Sequence, residues 1–303
     1  MEENIQGWIN LYKPKNISSF FAIKKIRSKF KIKKIGHGGT LDPMAEGILP
    51  VAIGKATKLI PFINRNEKKY IFIIKWGEQT TTDDAQGEVI ESSELIPNKK
   101  QIIGKLSEFQ GIISQTPPLM SANKIKGRPA YKLFREKKFY KLHSKEVYIK
   151  KLKFLESISN NFSKFEIECG KGFYVRSLAR DLANSLGTYG HITFLKRTKV
   201  GLFSINNSIL LDDLLKISQT LSEFNCFHSS VSMLDDILAY EIESEEELAN
   251  LSLGRPIYIN LNKLDLPRLN LIDKNFLFLS NNEKIVSYGK LDGNLFKPKK
   301  VLI

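Results

Sequence analysis

In YIFIIKWG, residues 70–77, the large residues Tyr70, Phe72, Ile74 and Trp76 fall at every second position, the period of a strand with one buried face. VYIKKLKFLESIS and SKFEIECG alternate in the same way and predict two more strands. GWINLYKPKN reads as a short strand ended by a turn at Lys13-Pro14, and ILPVAIGKATKLIPFI as an apolar strand running into a short helix. Polar TTTDDAQGE carries turn chemistry ahead of a strand at Val89-Ile90. Helical spacing takes over at Phe20, Ile23, Ile26 and Phe30, behind an N-cap at Ser18 or Ser19. It recurs at Ile102, Ile103, Leu106 and Phe109, with Gly111 at the end. A third helix, VRSLARDLANSLG, turns Val175, Leu178, Leu182 and Leu186 inward and stops at Gly187.

No regular βαβ rhythm links these elements, so the expected fold is α+β, with a mixed, largely antiparallel central sheet and flanking helices. After about residue 238 the texture changes. An acidic stretch leads to short strands in RPIYIN, NFLFLS, KIVSYGKL and KPKKVLI, broken by Asn, Asp and Gly. The expected division is a domain over residues 1–238 and a small β domain over 239–303.

Composition narrows the class. Hydrophobic residues make up 42% of the 303, enough for a core. Cys169 and Cys226 stand alone, without a CxxC pair, which argues against a zinc or disulfide framework and fits a reducing compartment. The acidic start MEENIQGWINLY lacks a signal-peptide pattern, and no apolar run approaches the roughly 18 residues of a membrane span. A soluble, cytoplasmic protein is expected. Charge adds a partner: 47 Lys and Arg against 32 acids give a net +15. The excess is clustered. Residues 123–153 hold twelve basic side chains against two acids, and residues 24–34 hold seven against none. Such clustering favours a polyanion, nucleic acid above all.

The glycine-rich stretch GHGGTLDPMAEG, residues 36–47, invites a phosphate-cradle reading, and that reading fails. A P-loop needs Gly, four residues, then Gly-Lys-Ser/Thr; here six residues separate Gly47 from Gly54-Lys55, and Ala56 replaces the hydroxyl. In a dinucleotide fingerprint Gly36 and Gly38 fit, but Leu41 occupies the third glycine position. His37, His143, His191 and His228 lack ligand spacing, and no GxSxG elbow is present. What remains is Asp42, pinned between Leu41 and Pro43 in a loop whose glycines allow close backbone approach. A carboxylate can act as a nucleophile without a cofactor. The same residue also suits a plain turn before MAEG, and spacing alone leans to the turn.

Together with GWINLYKP, KKYIF, TTTDDAQG, PPLMSANKIKGRPAY, KGFYVRSLARDL and GHITFLKRTKVG, this loop resembles the bacterial TruB-type tRNA pseudouridine synthases, in the family's order over about the first two thirds of the chain. The resemblance implies isomerisation of uridine 55 in the tRNA T loop, on a flipped-out base, with Asp42 as the nucleophile. It leaves open whether Asp42 attacks the uracil ring or the ribose C1′. It implies that Tyr70 stacks on the target base and moves the C5 proton, and that Arg176 pairs with Asp42 as a fork that aims it. Tyr174, Leu195 and His37 match substrate-contacting positions, and Lys13 touches the loop or the substrate. Read locally, Tyr70 is also an ordinary strand aromatic, Arg176 a solvated first-turn cation and Leu195 a core residue. No cofactor or metal is implied. The partner implied is the tRNA T arm, gripped by residues 123–153, with no obligate protein partner and a monomer as the expected state. Residues after 240 resemble a small RNA-binding PUA-type domain. Met120 departs from the pattern, standing where the family often has an aromatic. A non-catalytic RNA-binding protein, or a synthase acting on another RNA, is the alternative on the same scaffold.

Overall fold

A computed structural model describes residues 6–63, 67–138, 140–217, 227–231, 239–264 and 276–303. The chain opens with strand β1 (Gly7–Lys13) and helix α1 (Ser19–Lys29), which Ser18 caps by accepting from the Phe21 N–H. Strands β2 (Ile35–His37) and β3 (Glu46–Ile53) bracket the glycine-rich loop; a 3-10 turn and α2 (Ile60–Ile63) then lead to β4 (Lys68–Trp76). The hairpin of β5 (Glu78–Thr80) and β6 (Val89–Ser92) precedes α3 (Lys99–Leu106), which starts on an Asn98/Gln101 capping box, and β7 (Gly111–Gln115). The basic segment contains β8 (Lys124–Ile125), β9 (Arg128–Pro129) and α4 (Ala130–Arg135). Next come β10 (Lys145–Ser159), β11 (Phe162–Cys169), α5 (Val175–Ser185) and β12 (Gly190–Val200). β13 (Phe203–Ser204), β14 (Ile209–Leu210), α6 (Leu211–Lys216) and β15 (Phe227–His228) follow. The last stretch forms β16 (Ala239–Glu241), α7 (Glu245–Ser252), β17 (Ile257–Tyr258), β18 (Phe276–Asn281), β19 (Lys284–Asp292) and β20 (Leu295–Val301).

The large sheet runs β14-β1-β3-β12-β4-β11-β10-β7. Only the β1–β14 and β3–β12 pairs are parallel, so the mixed, largely antiparallel expectation holds. Hydropathy assigns no element to residues 190–200, yet β12 sits at the middle of this sheet. A register irregularity between Ile192 and Phe194 switches its inward parity from even to odd positions, which turns Leu195 and Arg197 toward the core. One glycine makes the centre possible. Gly47 has φ +109, and a Cβ there would lie 2.2 Å from the Arg197 carbonyl oxygen, so only glycine lets β3 pair with β12.

Helices α1, α3, α5 and α6 cover one face of this sheet over a core that includes Phe72, Ile74, Trp76, Phe165, Leu178 and Leu182. Two expected inward positions differ. Phe20 is 70% exposed and α1 instead buries Ser19, Ala22 and Ile26; Ile103 is exposed beside buried Ile102 and Leu106. The acidic stretch after 240 is helical: Ser244 caps α7, and Glu245, Glu246 and Glu247 occupy the first turn, where the helix dipole favours negative charge.

A second sheet, β16-β18-β19-β20-β17, docks on the other face. Trp8, Ile48, Leu59, Val200 and Phe203 of the first unit share a cluster there with Phe278, Ile285 and Leu302. Leu277 and Leu279 point the opposite way, into a third cluster with Tyr240, Leu251 and Phe296. The expected boundary at residue 238, like Cys226, lies outside the described residues. Among the described residues no helix is long and apolar enough to cross a membrane.

Candidate active site

The loop between β2 and β3 is tied down at three consecutive residues. The Leu41 N–H donates to Ser19 Oγ and the Ser19 hydroxyl donates to the Leu41 carbonyl, both at 2.9 Å. The Asp42 carbonyl accepts from the Ala45 N–H at 3.1 Å, and the Pro43 carbonyl accepts from the Asn16 N–H at 2.8 Å. Fully buried Lys13 adds a fourth tether: its Nζ donates to the carbonyls of Pro14 and Ile17 at 2.8 Å and of Pro43 at 3.4 Å. Burial pulls the Lys13 ammonium down to about 8, against the attraction of Asp42. Asp42 therefore closes a turn with its carbonyl, as the turn reading has it, and keeps its carboxylate for another partner.

That partner is Arg176, in the first turn of α5. Its Nε lies 2.9 Å from Asp42 Oδ2 and its Nη2 3.1 Å from Oδ1, a side-on fork that fixes distance and direction together. The remaining guanidinium protons are used as well. Nη1 donates to the Thr82 carbonyl at 2.9 Å and Nη2 to the Met120 carbonyl at 3.1 Å, and Asp84 Oδ2 stands 3.6 Å from Nη1. Asp84 is itself oriented by the Thr82 hydroxyl at 2.6 Å and the Gln86 N–H at 3.0 Å. Arg176 is thus a buried cation placed between two carboxylates, not a solvated one. Its helix has no side-chain cap of its own. The buried Gln115 amide takes that place, with Oε1 accepting from the Tyr174 N–H at 2.9 Å and Nε2 donating to the Tyr174 carbonyl at 3.1 Å.

Asp42 and Arg176 line a cleft of about 380 Å³ together with Tyr70, His37, Tyr174 and Leu195. Six of the seven residues singled out from sequence are therefore brought together; Lys13 lies behind the loop and braces it. Tyr70 comes from the inward face of β4, and burial pushes its phenol up to about 12 although Arg197 opposes the shift. Burial also raises the Tyr174 phenol. The His37 ring is pushed below its usual range by burial and then by Arg197, and its Nδ1 is buried without a hydrogen-bond partner among the described residues.

Two charged lining residues escape the sequence reading: Arg197 and Lys68. Arg197 is fully buried; its Nε donates to the Ile48 carbonyl at 2.7 Å and its Nη2 to the Gly39 carbonyl at 2.9 Å, so one guanidinium clips both ends of the Asp42 loop. Lys68 stands two residues before Tyr70 on the same strand face, pulled down to about 8 by burial and then by Arg197. Period-two counting back from Tyr70 reaches Lys68, whereas Arg197 lies in the stretch where hydropathy marks no strand.

Comparison with known proteins places this geometry. Residues 27–175 match the family model for the N-terminal domain of TruB family pseudouridylate synthases, and residues 176–245 match the tRNA pseudouridylate synthase B C-terminal domain. The chain is 38% identical to a tRNA pseudouridine synthase B of Bartonella henselae, over 98% of this chain and 96% of that protein. It is 48% identical to the Wolbachia pipientis protein of the same name, over 73% and 63% of the two chains. Among solved structures, the crystal structure of a Cbf5-Nop10-Gar1 complex contains a chain with the same fold: TM-score 0.72 and 22% identity, over 98% of this chain and 85% of that one. The chain belongs to the TruB family of pseudouridylate synthases, enzymes of the isomerase class that convert uridine to pseudouridine.

Proposed function

We propose that this enzyme acts on tRNA, isomerising uridine 55 of the T loop with Asp42 as the nucleophile. The observation that carries the reading is the Asp42–Arg176 fork on the wall of the cleft that Tyr70 also lines. The Asp42 side chain remains one-third exposed, open to a substrate. The reaction breaks the bond from ribose C1′ to N1, forms one from C1′ to C5, removes the C5 proton and leaves a proton on N1. Atoms and oxidation state balance within the substrate, so the chemistry calls for neither a redox carrier nor a metal. A covalent bond from Asp42 to the ring or to C1′ satisfies the same balance and holds the fragments while the base rotates. Tyr70, kept protonated by burial, suits a relay that accepts the C5 proton while passing on its own. Leu195 and Tyr174 flank the base, and His37 contacts the flipped RNA.

Extruding a nucleotide costs a few kcal/mol, which phosphate contacts offset. The basic residues of 123–153 supply such contacts, and residues 239–303 form a separate PUA-like unit that adds to them. The enzyme works as a monomer in the cytoplasm, where its tRNA is found. The test is an unmodified T-arm stem-loop incubated with wild type and with Asp42→Asn, followed by mapping of pseudouridine. Wild type converts one site; the variant binds the RNA and converts none. Conversion by the variant would remove Asp42 from its role, and no conversion by wild type would favour a binding protein.

A further inference from the structure

α1 turns the wrong residues outward for a helix that only packs. Its N-terminal turn leaves Phe20 70% and Phe21 43% exposed while the smaller Ser19 and Ala22 are buried. A pair of large apolar side chains in water is informative where a single one is not. The location is specific too. Ser19, the residue before Phe20, holds Leu41, the residue before Asp42, by hydrogen bonds in both directions. Cations follow the rings along the helix: Lys24 and Lys25 stand four residues after Phe20 and Phe21, on the same stripes. The Lys25 Nζ lies 5.2 Å from the centre of the Phe21 ring. Among the described residues, no carboxylate lies within 4.0 Å of Lys24, Lys25, Arg27 or Lys29.

We propose that this end of α1 is a second RNA surface beside the cleft, on which Phe20 and Phe21 stack with unpaired loop nucleotides next to the target and Lys24 and Lys25 hold their phosphates. The proposal rests on the RNA reading above and names how the loop around the target is recognised. Charge complementarity selects the occupant. An acidic protein surface would use the lysines and leave the rings idle, whereas an apolar partner would use the rings and bury unpaired lysines. Unpaired nucleotides offer a flat ring and an anion together, at about the spacing of one residue stack.

The experiment uses the full chain, a T-arm stem-loop and a loopless duplex of the same stem. Each stacked base is worth a factor of about five or more in affinity, so the double variant Phe20→Ala, Phe21→Ala raises the Kd for the stem-loop about thirtyfold or more and leaves the duplex Kd unchanged. Because no ion is released from a stacked ring, the slope of log Kd against log salt stays at the wild-type value in that variant. It falls by about two in Lys24→Ala, Lys25→Ala. Phe20→Trp keeps the affinity, and its indole emission is quenched by the stem-loop; native Trp8 and Trp76 are buried and contribute no such change. Wild-type stem-loop affinity in the double alanine variant, while wild type still converts the RNA, would overturn this surface and leave the enzymatic reading intact. Capture by anionic vesicles with unchanged RNA affinity would reassign it to a membrane. No conversion by wild type would instead overturn the reading on which the proposal rests.

Discussion

Lys13 and Lys68 are buried cations within reach of one small cleft, and their protonation links the site to the stability of the chain. Both stand at about 8 in the fold, against 10.5 in an unfolded chain. Between those values the unfolded chain binds more protons, so their contribution to stability is least below pH 8 and grows as pH rises through the window, by up to about 1.4 kcal/mol per pH unit for each group. The His37 shift acts below pH 6.5 and the Tyr70 shift above pH 10. The raised Cys169 thiol works in the opposite direction, but only above its ordinary value of 9.0. Melting temperature should therefore climb from pH 7.5 to 9 in wild type and climb less in Lys68→Met; identical pH responses would contradict a buried, charge-averse Lys68. At this scale the sequence was a partial guide. Asp42, Tyr70 and Arg176 stood out because motifs surround them. Lys68 and Arg197 did not, because a lysine or arginine in a strand reads as solvent-facing until its neighbours show that it points inward. Asp84 lay inside a quoted motif, yet nothing local tells which of its carboxylates faces an arginine 92 residues away.

The elements around the cleft owe their positions to polar side chains more than to hydropathy. α1 is the clearest case: spacing of large residues selects Phe20 as an anchor, whereas the fold selects Ser19, whose hydroxyl pairs with both polar groups of Leu41. β7 is another. It begins at Gly111 with φ +86 and leaves Ile112 71% exposed on the sheet edge, so no alternation marks it, yet its last residue, Gln115, caps the helix that carries Arg176. Replacing Gln115 by leucine keeps the volume and strands the N–H of Tyr174, whose carbonyl keeps the Leu178 N–H at 3.2 Å. A cost of about 1–3 kcal/mol is expected, the usual penalty for unpaired buried groups. Since Arg176 sits two residues further on, the fork to Asp42 loosens with the helix end. Gln115→Leu should lower the melting temperature and slow single-turnover conversion while stem-loop affinity holds. A melting loss with an unchanged turnover rate would make Gln115 a stability residue alone.

Across the whole molecule, the two family models meet between Val175 and Arg176, inside α5, and β12 from the second model pairs with β3 and β4 from the first. Asp42 and Arg176 thus come from opposite sides of that border, the first from the loop between β2 and β3 and the second from α5. The sheet after residue 239 is a different matter. Four of its five strands were legible as short segments broken by Asn, Asp and Gly, while β16 fell in the stretch read only as acidic; its docking was not legible, because docking depends on which residues of two remote segments meet. Phe62 is central to that meeting, with ring centres 4.8 Å from Phe278, 5.2 Å from Tyr288 and 5.5 Å from Phe276. Aromatic pairs of this geometry add to the area they bury, so Phe62→Ala should cost about 1–3 kcal/mol, less than a fully buried ring because Phe62 is half-buried. The loss should be local. β18 also packs Leu277 and Leu279 into the third core cluster, of which Phe62 is not a member, so the small sheet retains a core of its own. Amide exchange by mass spectrometry should quicken in β18 and β19 and stay at the wild-type rate in β4 and β12. Equal acceleration in both sheets would mean that the two unfold as one cooperative unit, and that residues 239–303 do not make an independent RNA-binding module.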